Sequence, residues 1–217
     1  MKTIDYNNKR LEVPKVVCIG RNYVEHIEEL GNEIPSSMVV FNKPNSAISD
    51  KLYYFSEYCR FEGEICFLVN DHEIVGVGFG LDLTHADIQK KLKERGLPWE
   101  RAKAFDNSAL FGEFVSIDGD IRDIHMKLFI NDRLIQFATY DLMIYKPDII
   151  LQEIERFMTL NDNDIIMSGT PKGVSTYTIG DRFVGQIFCG DKLLVESSWV
   201  VSDQVDTSIS EATTTTL

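Results

Sequence analysis

The sequence predicts an α+β fold dominated by β-strands. Short runs rich in Val, Ile and Phe, bounded by Gly, Asn and Asp, recur along the whole chain. Helical periodicity is confined to a few stretches, and these do not alternate regularly with the strand runs, as a parallel α/β sheet would require. In chain order, the first predicted strand is Val16–Ile19. A helix is predicted from Tyr23 to Leu30, with Asn22 as N-cap and Gly31 at its C-terminal stop. Strands follow at Met38–Phe41, Glu64–Val69 and Glu73–Leu83. The second helix, His85–Arg95, has Thr84 as cap, Asp87 at the capping-box position, Ile88 and Leu92 as its apolar contact, and Gly96 as its end.

Further strands are predicted at Phe114–Ser116 and His125–Ile130, with a hairpin turn in the run Ile130 to Leu134. A third helix covers Ile149–Met158, where Ile150, Ile154, Phe157 and Met158 share a face. Asp164–Met167, Arg182–Phe188 and Leu193–Val201 complete the strands, the last two joined by a turn at Gly190 and Asp191. No Pro/Gly/Ser-rich linker divides the chain. Residues 1–217 therefore read as one domain ending in a Ser/Thr-rich tail, Ser202–Leu217.

Composition narrows the function. At 44% hydrophobic and 26% charged residues the chain is globular rather than disordered. Its 22 basic and 34 acidic residues leave a net charge of −12, with no basic stripe, which argues against a nucleic-acid partner. The four cysteines form no CxxC pair; Cys18, Cys66 and Cys189 lie in apolar runs as small hydrophobes. Four scattered histidines offer no zinc site. The N-terminus lacks the apolar core of a signal peptide, and no apolar run approaches the roughly 20 residues of a membrane span. A cytoplasmic protein with no membrane partner is expected.

The most informative stretch is Arg60-Phe61-Glu62-Gly63-Glu64-Ile65-Cys66. On a strand, Glu62 and Glu64 share a face about 6.5–7 Å apart, and Cys66 and Leu68 continue that face as apolar residues. Two carboxylates leading into a buried strand need a cation or donors; a solvated strand end with lysines opposite would also serve. A third acid, Asp82, lies among apolar residues just before the second helix. Such an all-oxygen set suits Mg²⁺ or Mn²⁺. The run Gly169-Thr170-Pro171-Lys172-Gly173 follows a buried strand, and its amides and hydroxyl could receive a carboxylate; it reads equally well as a plain tight turn. His26 and Glu29, three apart on the first helix, form either a His–acid dyad or an incidental surface pair.

These features occur in a familiar order. Gly20-Arg21-Asn22-Tyr23-Val24-Glu25-His26, Lys43-Pro44, Glu62-Gly63-Glu64, Leu81-Asp82-Leu83-Thr84, Gly96-Leu97-Pro98-Trp99 with Lys103 and Phe105-Asp106, and Gly169 to Val174 together resemble the fumarylacetoacetate hydrolase family. The likeness spans about Val16 to Val201 and is greatest to the short acylpyruvase and oxaloacetate decarboxylase branch. The resemblance implies a mixed β-roll and a homodimer. It further implies Mg²⁺ or Mn²⁺ on Glu62, Glu64 and Asp82, with a small 2-oxo acid as substrate. It places Arg21, Gln89 and Thr170 in substrate binding, and His26, Glu29 and Lys103 in catalysis.

The activity implied is metal-dependent C–C bond hydrolysis of acylpyruvate-type 2,4-dioxo acids, with oxaloacetate decarboxylation as a further reaction. Isomerases, tautomerases and hydratases of 2-oxo acids share the scaffold, and a non-catalytic binding homologue is a third alternative. One position departs from the pattern. Many relatives carry arginine four residues after the metal aspartate, where this chain has Ala86. The carboxylate contact would then fall to neighbouring His85, or to Thr170 and the backbone.

Overall fold

The computed structural model describes residues 1–29 and 35–203. The predicted helix end at Leu30 and Gly31, and the tail beyond Asp203, lie outside the described residues. The chain opens with a hairpin that sequence patterning did not anticipate. Here β1 (Thr3–Tyr6) and β2 (Lys9–Glu12) pair across Asn7 and Asn8, both at positive φ, where asparagine is among the better-tolerated residues. Next come β3 (Lys15–Gly20), α1 (Val24–Glu29), β4 (Val39–Pro44) and the two-residue β5 (Ile48–Ser49). The longest strands, β6 (Cys59–Asn70) and β7 (Glu73–His85), form a hairpin through Asp71 and His72. After α2 (Ala86–Glu94) and the single turn α3 (Glu100–Lys103) comes β8 (Ala109–Phe111).

The second half contains β9 (Ile124–Ile130), β10 (Arg133–Thr139), α4 (Pro147–Glu155), β11 (Ile165–Met167), β12 (Ser175–Thr176), β13 (Arg182–Cys189) and β14 (Lys192–Val200). The expected strand Phe114–Ser116 is reduced to isolated bridges, Tyr6 with Phe114 and Val77 with Val115. The third helix begins earlier than expected, because Pro147 fits the first turn, where no amide proton is needed.

Two sheets result. A mixed sheet runs β4-β3-β11-β6-β7-β8-β5, with β12 on the outer end of β6; a four-stranded antiparallel sheet runs β10-β9-β13-β14. The larger core lies between them. Phe61, Ile65, Phe67, Phe79 and Leu81 meet Met126, Leu128, Phe183, Ile187 and Trp199 there. Gly185 permits the close approach, since a Cβ at that position would lie 2.1 Å from the Phe79 ring.

The opposite face of the mixed sheet builds a second core, in which Val16, Cys18, Cys66, Leu68, Ile165 and Met167 join Ile48, Ala109 and Phe114. Strand alternation therefore turns Glu62 and Glu64 to the side away from the inter-sheet core. This sheet is curled. In a flat sheet β4 and β7, four places apart, would stand about 19 Å from each other at ~4.8 Å per strand. Yet Lys43 on β4 places its Nζ 2.8 Å from Asp82 Oδ1 on β7. The architecture is the mixed roll expected, and among the described residues no helix is long and apolar enough to cross a membrane.

Candidate metal and substrate site

The β6–β7 register sets Glu62 directly opposite Asp82 and Glu64 opposite Gly80. Directly paired residues point to the same face. One oxygen each from Glu62, Glu64 and Asp82 lie within 4.8 Å of one another. Two lysines are buried against them. Lys103 Nζ is 2.9 Å from Glu62 Oε2 and 2.7 Å from Asp82 Oδ2. Lys43 directs its protons to the carbonyls of Leu83, Lys103 and Ser108 and to the Ser108 hydroxyl. Asp82 Oδ1 is thus next to a positive charge but accepts no hydrogen bond, although it is buried.

Three carboxylates face two ammonium groups, so one negative charge is in excess. Burial, with Asp82 and Glu62 beside it, raises the Glu64 carboxyl well above the usual carboxylate range, despite the 2.7 Å hydrogen bond it accepts from the Gly169 amide. For Glu62 burial also acts upward, but Lys103, His26 and the Thr84 hydroxyl outweigh it and hold the carboxyl below its ordinary value. The all-oxygen donors, the surplus charge and the undonated Asp82 oxygen fit a divalent cation.

A cation bound at this cluster would be proton-linked through Glu64. A carboxyl raised in the folded state stabilises the metal-free fold below its unfolded value, and this stabilisation is lost as pH rises toward the folded value. A cation would take the proton's place. Its affinity is therefore expected to rise as much as about tenfold per pH unit below that folded value, so the gain in Tm on adding Mn²⁺ should be larger at pH 8 than at pH 6. Calorimetry in buffers of different ionisation enthalpy reads the released proton directly, and binding with no proton release would contradict this.

Helix α1 lies over the site. Asn22, expected as its N-cap, instead spans to other segments: Nδ2 donates to the Tyr145 and Ser168 carbonyls, and Oδ1 accepts from the Tyr145 amide. His26 is buried, with Nδ1 3.4 Å from Glu29 Oε2, a long contact. The Glu29 carboxylate also accepts from the Gly173 amide at 3.1–3.2 Å, and Lys172 pairs with Glu25 at 3.2 Å. The Gly169–Gly173 turn thus anchors the helix. Both glycines have φ near +100°, and added Cβ atoms would fall 2.9 Å from the Ile19 carbonyl oxygen and 2.5 Å from that of Ile135, respectively.

Arg21, His26, Gln89, Lys103 and Thr170 line the same cavity as Glu62 and Asp82. Glu64, which is buried, and Glu29, which is exposed, do not line it. The Thr170 hydroxyl is already engaged, donating to the Gly63 carbonyl and accepting from Gln136. Thr84 does not cap α2: His85 occupies the N-cap position without a side-chain bond, and the Thr84 hydroxyl donates to Glu62 Oε1 at 2.8 Å. The His85 ring packs against Phe105 and Phe55.

Two buried polar residues were missed in the sequence. Lys43 appeared only as part of a motif, without a role. Gln136 accepts from the Gly63 amide at 2.9 Å and donates to Thr170 Oγ1 and the Pro171 carbonyl, tying the carboxylate strand to the turn. Its signal was a glutamine two residues from Ala138 on an inward strand face, where a polar side chain needs partners.

Known proteins can be set against this geometry. Residues 15–201 match the family described as fumarylacetoacetate (FAA) hydrolase C-terminal. The chain is 36% identical to the oxaloacetate tautomerase YcgM of Escherichia coli (strain K12), over 78% of this chain and 86% of that protein. It is 32% identical to the mitochondrial oxaloacetate tautomerase FAHD1 of Bos taurus, over 77% and 84%. Fumarylpyruvate hydrolase from Pseudomonas aeruginosa, solved with Mn²⁺ and pyruvate, superposes with a TM-score of 0.84 at 27% identity, covering 94% of this chain and 96% of that one. Roll, matched span and sequence identity agree: the chain belongs to the fumarylacetoacetate hydrolase family.

Proposed function

We propose that the protein is a divalent-metal-dependent enzyme that interconverts the enol and keto forms of oxaloacetate. The observation that carries this is His26, a proton carrier with Glu29 at Nδ1, lining the same cavity as the carboxylate cluster and Lys103. The identity to oxaloacetate tautomerases supports it. Glu62, Glu64 and Asp82 would hold Mg²⁺ or Mn²⁺. When bound, the cation supplies a Lewis acid toward a 2-oxo acid.

The chain's own residues do the rest. Glu29 accepts the Nδ1 proton, which leaves Nε2 as the basic nitrogen. His26 takes the proton from the enol hydroxyl, and Glu29 stabilises the imidazolium. Lys103 adds positive charge beside the developing oxyanion. His26 then returns a proton to C3, so keto oxaloacetate forms with no net proton change.

Hydrolysis of acylpyruvates is the second reading, favoured by the same dyad and by the fumarylpyruvate hydrolase neighbour. There His26 would deprotonate a water that attacks the C4 carbonyl. The C3–C4 bond would break, its electron pair would pass to the pyruvate enolate, and pyruvate and a carboxylic acid would leave. Metal-stripped protein given enol oxaloacetate or acetylpyruvate, with and without Mn²⁺, separates the readings. Metal-dependent loss of enol absorbance from oxaloacetate without pyruvate is the expected result. Pyruvate from acetylpyruvate establishes hydrolysis instead, and no metal-dependent change with either substrate overturns both.

A further inference from the structure

Part of the cavity lining is cationic and is not part of the carboxylate cluster. Helix α2 presents Gln89 and Lys93, four residues apart and so on one face, and both side chains line the cavity along with Arg21. Lys93 is half-buried, with its Nζ 4.9 Å from the centre of the Trp99 ring. Its surroundings differ from those of the other cavity lysine. Lys103 holds two carboxylates, whereas Lys93 has no carboxylate within 4.0 Å among the described residues. Burial lowers the Lys93 ammonium below its ordinary value, and Arg21 and Lys103 push the same way, with Glu62 pulling upward against them. Like charges therefore converge here, with no carboxylate in ion-pair contact with Lys93, an arrangement that an anionic ligand would relieve.

We propose that Lys93 receives a second carboxylate on the substrate, so that the site selects 2-oxo dicarboxylates over 2-oxo monocarboxylates. This rests on the reading of the site as one for 2-oxo acids. It also answers the question raised by Ala86. His85 does not take over the anion contact, because its ring is held between Phe105 and Phe55 and lies outside the cavity lining. Residues 86, 89 and 93 follow one helical face, so the positive charge sits two turns further along the same helix, in its last turn. The Lys93 ammonium lies over the Trp99 ring, which itself lines the cavity, so the charge is held at the cavity wall.

The test compares Mn²⁺-loaded wild type with Lys93→Met, which keeps a long apolar stem against Trp99, and Lys93→Arg, which keeps the charge. Calorimetric titration with the stable dicarboxylates ketomalonate and 2-oxoglutarate, against pyruvate, gives a preference ratio. In Lys93→Met the ratio is expected to fall about tenfold or more, the usual worth of a charge-assisted contact, and Lys93→Arg should restore most of it. Pyruvate affinity should change less than about twofold on the same grounds. In Lys93→Met the oxaloacetate KM should rise as the ratio falls, while kcat changes less than KM. Equal losses for pyruvate and the dicarboxylates, or no loss, would overturn the assignment, as would a wild type that does not prefer dicarboxylates. The two proposals fail separately. Turnover of oxaloacetate with an unchanged ratio removes Lys93 alone; a collapsed ratio in a protein that turns nothing over removes the tautomerase reading and leaves Lys93 as an anion-binding residue.

Discussion

Asp82→Asn is expected to abolish useful divalent-metal binding and, with it, turnover. Asp82 is the hub of the buried charge cluster: Oδ2 takes a hydrogen bond from Lys103 at 2.7 Å and Oδ1 lies 2.8 Å from Lys43. Asparagine keeps the volume but removes the charge that both lysines share. Replacing outer partners of metal ligands costs about 10–100-fold in affinity, so loss of a direct ligand should exceed about 100-fold. Stability should fall as well, because breaking a buried pair leaves an ammonium uncompensated at about 3–5 kcal/mol. At about 2–4 °C per kcal/mol for a chain of this size, Tm should drop by roughly 6–20 °C. Mn²⁺ titration by electron paramagnetic resonance and a thermal melt read the two effects independently. Wild-type Mn²⁺ affinity in the variant would remove Asp82 from the metal set.

His26→Ala should separate chemistry from metal binding. His26 lines the cavity but is not part of the carboxylate cluster, and its partner Glu29 is tied to the Gly173 amide rather than to Glu62, Glu64 or Asp82. Positioned acid–base groups contribute about 10²–10⁴-fold, so turnover of the enol should fall within that range while Mn²⁺ affinity stays within about threefold. An active variant would dismiss His26 as the proton carrier. Loss of metal on this substitution would instead make the histidine part of the metal environment and sink the assigned role.

The parts of the site that were legible in the sequence rest on short-range periodicity. Glu62 and Glu64 share a face because strand side chains alternate, and the same alternation predicted Cys66 and Leu68 as the buried continuation. His26 and Glu29 approach because three residues make most of a helical turn. The illegible parts are long-range. Lys43 has no role legible in the Lys43-Pro44 motif, and only the curl of the mixed sheet brings it to Asp82. Thr84 and Asn22 were misassigned for one reason. Each is a good local cap, but a carboxylate or a pair of buried carbonyls nearby in space competes for the same polar atoms.

By itself the sequence determined the strand-rich class, the segregated helices, the acidic triplet and the family, since these depend on residue type and on spacing within a few positions. The tertiary structure alone decided which charges neutralise which, why the Glu64 carboxyl is the one driven upward, and that Lys93 rather than His85 faces the cavity. Those outcomes depend on burial and on distances between residues as far apart as Lys43 and Asp82, or Glu29 and Gly173. Electrostatic interactions fall with distance through space and strengthen out of water, so the fold has to form before the charges acquire their roles.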